Sequence, residues 1–183
     1  VRELASSGKK VFLDLKLHDI PNTMTKALES LVDLPVGLIT LHACAGPEAL
    51  EKCAEFANEH MPNVTLLGVT VLTSTNQEGL NAIGVNHPVD DQVLRLASLA
   101  VNQGIGGIVC SPLELPLLRK SLTASTTLVT PGIRPLNSAV GDQKRIMTPV
   151  QAKQAGANFL VIGRPILAAV NPRDALDSIL QEL

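Results

Sequence analysis

Short apolar runs recur along the chain, separated by stretches whose apolar residues return every three or four positions. Runs near 10–17, 37–43, 65–72, 106–110, 127–131 and 159–163 are rich in Val, Ile and Leu and almost continuously hydrophobic. That pattern predicts parallel strands covered on both faces. Helical periodicity fits 22–34, 47–59, 91–103 and 150–156. Start signals support further helices. Ser111-Pro112-Leu113-Glu114 is a capping box with proline at the first helical position. Thr148-Pro149-Val150-Gln151 repeats it, and Asn171-Pro172-Arg173-Asp174 offers an Asn cap followed by an acid in the first turn.

The alternation of strand and helix, with no hairpin signal, predicts an α/β fold. It suits either a doubly wound sheet or a (β/α)8 TIM barrel. Six βα units are legible, whereas a barrel takes ~250 residues, or ~30 per unit. Val1-Arg2-Glu3-Leu4 reads as the end of a helix, and Gly8 with Lys9-Lys10 leads directly into the first strand. The expectation is a single domain over 1–183 whose barrel lacks about its first two βα units.

Composition narrows the function. The 183 residues are 45% hydrophobic, carry a net charge of −2 and include three aromatics, Phe12, Phe56 and Phe159. With no basic track and no stacking platform, nucleic-acid binding is not expected. No run approaches the ~18 apolar residues of a membrane span, and no secretory leader is visible. Cys44, Cys53 and Cys110 are odd in number and lack CxxC spacing, so they read as reduced thiols of a cytoplasmic protein. His18, His42, His60 and His87 form no metal motif. Asn63-Val64-Thr65 matches a glycosylation sequon but lacks a secretory context.

The candidate chemistry lies at strand ends. In VFLDLKLHDIPNT, from Val11 to Thr23, residues two apart share a face of the strand. Asp14 and Lys16 therefore project together opposite an aliphatic face, with Asp19 just beyond. Inward-facing charges without a partner or a task are rare; the alternative is a buried salt bridge that only holds the core. Two later strands end in Thr130-Pro131-Gly132-Ile133-Arg134-Pro135 and Ile162-Gly163-Arg164-Pro165. In barrels, the loops after the last two strands often bind phosphate. Gly132 and Gly163 allow close backbone approach, and Arg134 and Arg164 can donate bidentately. The alternative for either arginine is a helix cap or an ion pair. The long polar connection 137–145 suits a lid, with Gln143 reaching a ligand, or else a solvated loop. Thr70, Thr73, Ser74 and Thr75 offer hydroxyls at the same strand ends or cap a local turn. Gly104-Ile105-Gly106-Gly107 precedes a strand rather than following one, so it is not a dinucleotide loop.

These strings add up to a family resemblance. Asp14-x-Lys16-x-x-Asp19 continued through Ile20-Pro21-Asn22-Thr23, VTVLTS at 69–74, VTPGIRP at 129–135, GDQKRIMTP at 141–149 and VIGRP at 161–165 resemble orotidine 5′-phosphate decarboxylase, in order along the whole chain. DxKxxD alone is shared with sugar-phosphate decarboxylases and aldolases of the same superfamily; the longer strings are more specific. The resemblance implies decarboxylation of orotidine 5′-phosphate to UMP in pyrimidine synthesis, without cofactor or metal. It implies Lys16 as proton donor to C6 and Asp14 beside the departing carboxylate. It implies a homodimer in which Asp19 reaches the partner's site. Asp14, Leu15, Lys16, Leu17, His18, Asp19, Ile20, Pro21, Asn22, Thr23 and Thr73 would contact substrate, and Arg134, Gln143, Gly163 and Arg164 the phosphate side. It also implies an aspartate and a lysine on two strands that would precede Val1, so the chain alone is expected to be inactive. The rivals are a magnesium-dependent sugar-phosphate enzyme of the same superfamily, a non-catalytic phosphometabolite-binding module, and a scaffold protein.

Overall fold

The computed structural model describes residues 1–135 and 146–183. All six strands are present: β1 (Phe12–Leu17), β2 (Leu38–His42), β3 (Thr65–Val69), β4 (Gly107–Val109), β5 (Thr127–Thr130) and β6 (Phe159–Leu160). They are hydrogen-bonded in chain order, β1-β2-β3-β4-β5-β6. β1 with β2, β2 with β3, and β5 with β6 pair in parallel. This is the order produced when each strand returns through a crossover to lie beside its predecessor, as in α/β barrels.

The helices are α1 (Arg2–Ser6), α2 (Pro21–Glu29), α3 (Pro47–His60), α4 (Gln77–Ala82), α5 (Val89–Asn102), α6 (Leu115–Ser121), α7 (Pro149–Gln154), α8 (Arg164–Leu167) and α9 (Pro172–Glu182). None among the described residues is long and apolar enough to cross a membrane. The strands expected at 65–72 and 159–163 are shorter than the apolar runs that announced them. At the two ends of the sheet, Leu15 in β1 and Phe159 in β6 are 44% and 48% exposed. Each of these strands has a sheet neighbour on one side only among the described residues.

The chain divides into two compact units. The first comprises Val1–Thr70 and Arg95–Ile108. Here α2 packs on α3. Their apolar stripes bury Met24, Leu28, Leu50 and Cys53, while the sheet buries Ile39, Leu41, Leu66 and Leu67. Each fully buried Leu or Ile contributes about 1.5–3 kcal/mol. The approach of α5 to β3 depends on Gly68: a Cβ there would lie 3.0 Å from the Ala100 methyl and 3.6 Å from Ile108. A side chain there would require the Ala100 methyl to give by a few tenths of an ångström. Burial raises the Cys53 thiol to about 11, with a Thr25 hydrogen bond opposing it. Cys44, Cys53 and Cys110 form no disulfide.

The second unit comprises Val71–Leu94 and Val109–Leu183. Its helix starts follow the expected caps. Ser111 N–H donates to Glu114 Oε2 at 2.8 Å, and the box opens a 3-10 turn that runs into α6. Thr148 and Gln151 exchange the equivalent bonds at the start of α7. Asn171 Oδ1 accepts from Arg173 and Asp174 N–H to open α9. Arg119 ties α6 to the turn before β6. Its guanidinium donates to the Gly156 carbonyl, the Thr126 carbonyl and Asn158 Oδ1. Gly156 has φ +103°, and a Cβ there would lie 2.9 Å from Arg119 Cγ, so both backbone and space require glycine.

Candidate active site

The polar face of β1 is built by a break in the strand. Phe12 and Leu13 pair with Leu38 and Ile39, but the next partner of β2 is Leu17 with Leu41. Four residue steps on β1 thus span two on β2. Strict alternation cannot continue through such a bulge, and the bulged strand re-aims its side chains. The irregularity includes Lys16, the one non-glycine among the described residues with positive φ, at +52°. A lysine gains nothing from the left-handed region and is held there at a cost of roughly 1–2 kcal/mol.

β2 supplies the group that holds it. Thr40 is fully buried, and its Oγ1 accepts the Lys16 N–H at 2.9 Å and donates to Asp14 Oδ1 at 2.8 Å. The other carboxylate oxygen of Asp14 takes Lys16 Nζ at 2.5 Å. The Asp14 and Lys16 side chains are 47% and 39% exposed. In this chain β1 has a sheet neighbour on one side only among the described residues, and the pair is exposed there rather than buried. An ion pair this open adds about 0–1 kcal/mol to stability.

His42, two residues after Thr40, extends this polar face. Its ring lies 5.3 Å from that of His18, inclined by 42°. Burial first, then His18 and Lys16, lowers the His42 pKa below 6.5, with Asp14 acting in the opposite sense. Folded His42 thus binds a proton less readily than the unfolded chain does. Its contribution to stability is complete above pH 6.5 and is lost as the pH falls from there through the lowered folded value. The denaturation midpoint is expected to drop between pH 7.5 and 5, and His42→Gln should flatten that drop. An unchanged slope in the variant would remove His42 as the cause.

The rest of the 14–23 segment lies around the rim. His18, Asp19 and Ile20 are exposed. Asp19 Oδ1 accepts the Ile20 N–H at 2.7 Å, just ahead of Pro21 at the first position of α2. His18, Asp19, Ile20, Pro21 and Ala45 line an open pocket of about 520 Å³. Among the described residues, no three His, Cys, Asp or Glu side chains converge as a metal site would need.

In the second unit, Gly163 precedes α8 and its carbonyl accepts from Ile166 and Leu167 N–H. Open space surrounds the position a Gly163 side chain would take. Arg164 follows it and is exposed. Arg134 is only 7% exposed, with Nη1 donating to the Ile133 carbonyl at 2.8 Å and its N–H to Met147. Of the two arginines, Arg164 is the one presented to solvent. Thr73 is half-buried in a turn closed by the Thr75 N–H on the Leu72 carbonyl. Gln143 and the 137–145 connection lie outside the described residues.

Thr40 and His42 were not among the residues singled out from the sequence. The signal was present: in Leu38-Ile39-Thr40-Leu41-His42, two polar residues alternate with aliphatic ones and share one face of β2.

The family profile described as "Orotidine 5'-phosphate decarboxylase / HUMPS family" matches residues 1–179. A relative from Opitutus terrae named orotidine 5′-phosphate decarboxylase is 54% identical over 183 residues, covering 100% of this chain and 80% of its own length. One of the same name from Vibrio vulnificus is 49% identical, covering 98% of this chain and 78% of its own. The crystal structure of orotidine 5′-phosphate decarboxylase from Lactobacillus acidophilus superposes with a TM-score of 0.85 at 35% identity, covering 99% of this chain and 78% of that one. The strand order, the Asp14–Lys16 pair at the end of β1 and these matches along the whole chain lead to one conclusion: the chain belongs to the orotidine 5′-phosphate decarboxylase / HUMPS family.

Proposed function

We propose that the protein decarboxylates orotidine 5′-phosphate to UMP in pyrimidine biosynthesis, and that Lys16 is its proton donor. The activity is that of the relatives at about half identity. The observation that carries the residue assignment is the Lys16 ammonium held 2.5 Å from the Asp14 carboxylate on a left-handed bulge. Strain maintained at a charged residue of a strand end is characteristic of sites that position a reacting group.

In the reaction, the bond between C6 of the pyrimidine and its carboxylate breaks and carbon dioxide leaves. The electron pair stays on C6, where a vinyl-type carbanion has little resonance help. Lys16 Nζ then transfers a proton to C6. Magnitudes decide which group matters most. A substrate carboxylate ~4 Å from Asp14 would experience about 4 kcal/mol of repulsion at an effective dielectric of 20. Enzymatic barrier reductions span roughly 8–23 kcal/mol. Repulsion is therefore the smaller term, and the ammonium at C6 the larger, because it stabilises charge that develops only in the transition state. The Asp14 carboxylate keeps that ammonium in place.

The phosphate is the task of Arg164 and the Gly163 backbone, supplemented by Arg134 and Gln143, while Thr73 meets the substrate. The exposed Asp19 and Ile20 suit a role across a homodimer interface, with Asp19 completing the partner's site. The setting is cytoplasmic, and the 183 residues are part of a single decarboxylase barrel domain.

The test is loss of the orotate absorbance when the full-length native protein meets orotidine 5′-phosphate with no metal added. Turnover insensitive to EDTA is expected. Turnover of a sugar phosphate that EDTA abolishes would move the protein to the metal-dependent branch of the superfamily. UMP binding without any turnover would make it a binding module.

A further inference from the structure

We infer that Thr40 is a positioning residue for the decarboxylation, fixing both the Lys16 ammonium and the Asp14 carboxylate through one buried hydroxyl. This rests on the function proposed above. The direction of each bond follows from the chemistry of the groups. A backbone N–H can only donate, so Thr40 Oγ1 must accept from Lys16. The single hydroxyl proton is then left for an acceptor, and Asp14 Oδ1 lies 2.8 Å away. With Asp14 Oδ2 on Lys16 Nζ, the three residues close a ring of hydrogen bonds. The ring begins at the Lys16 main chain, passes through Thr40 and Asp14, and returns to the Lys16 ammonium.

A lysine side chain is a flexible stem carrying a point charge. In this ring it is held at both ends. Its backbone is pinned at φ +52°, and its ammonium is pinned by a carboxylate whose other oxygen is itself engaged. Asp14 and Lys16 are both substantially exposed, whereas Thr40 is 0% exposed and set in the middle of β2. The rigid reference point of the ring is therefore Thr40. Catalytic constellations depend on such support, because displacement of a reacting group by about 1 Å can cost roughly 100-fold in rate.

The bland alternative is that Thr40 only satisfies an amide that the bulge has removed from the β1–β2 ladder. Kinetics separate the two. Thr40→Val keeps the shape but can neither accept nor donate, and Thr40→Ser keeps the hydroxyl. In the full-length native protein, Thr40→Val is expected to lower kcat by roughly 100-fold while changing KM far less. Thr40→Ser should restore kcat to near the wild-type value. If Thr40→Val does not fold, Thr40→Ala takes its place. Amide hydrogen exchange at Lys16 supplies a readout independent of turnover and should quicken when the hydroxyl is removed. A folded Thr40→Val with wild-type kcat, or a Thr40→Ser as slow as the valine variant, would overturn the role while leaving the decarboxylase reading intact. A wild-type protein without activity on orotidine 5′-phosphate would overturn both.

Discussion

Replacing Lys16 with alanine is expected to abolish turnover of orotidine 5′-phosphate while leaving UMP binding largely intact. Two contributions disappear together. A positioned proton donor is typically worth 100- to 10,000-fold, and a fixed charge facing a developing anion is worth about 100- to 1,000-fold. They act on the same atom and do not simply multiply, so a fall in kcat of roughly 10,000-fold or more is the expected range. The lysine makes its decisive interaction with charge that the product lacks, so product affinity should change little. Stability should change little too, because the Lys16–Asp14 pair is about half exposed and worth about 0–1 kcal/mol. Removing the side chain even eases the case for a positive φ no more than slightly, since alanine also disfavours that region. Stopped assays with the purified variant, paired with UMP titration, provide the check. Turnover near wild type would end the proton-donor assignment.

The second large effect is expected at Arg164. The substrate phosphate is remote from C6, so its binding energy serves to hold the pyrimidine in place. A hydrogen bond from a guanidinium to a charged acceptor contributes about 1.5–3 kcal/mol, more when bidentate. Arg164→Ala should therefore lower kcat/KM by roughly 10- to 100-fold. Arg164→Lys should recover only part of it, because a point charge cannot reproduce the planar fork. Arg164 is exposed at the start of α8, so the fold should tolerate both changes. A variant with unchanged kcat/KM for the phosphorylated substrate would show that other groups carry the phosphate. The contrast with Lys16 is diagnostic: one variant loses chemistry and keeps binding, and the other loses grip.

Much of the secondary structure was legible because its causes are local. The capping boxes at Ser111 and Thr148 and the Asn171 cap needed only neighbouring residues, and each formed the bonds its spacing implied. Periodicity does not announce α4, although Asn76 caps it through the Gly79 N–H, with Glu78 in the first turn. A six-residue helix offers too little apolar periodicity to stand out. α2 was expected to run through 34 and ends at Glu29, with Ser30 closing it and turns following. Where a helix stops depends on what its next turn would pack against, which periodicity does not report.

The site divides along the same line. The Asp14–Lys16 pair was expected from simple alternation and is present. Alternation was an incomplete reason, because a register break lies between Leu13 and Leu17. The left-handed Lys16 and its partner Asp14 both bond the buried hydroxyl of Thr40, more than twenty residues further along the chain. The exposure of the pair was not legible either: whether a strand is covered depends on its neighbours in the sheet, and among the described residues β1 has one on one side only.

The amino-acid sequence alone determined the βα rhythm, the helix caps, the family to which its strings belong and the residue types available for chemistry. All of these depend on interactions within a few residues or on ordered short motifs. Only the tertiary structure decided where β1 breaks register with β2, how Lys16 is aimed, and that Thr40 stands between its backbone and Asp14. Those features arise where two distant strands pair out of register, and hydrogen bonds between them exist only after the chain has folded.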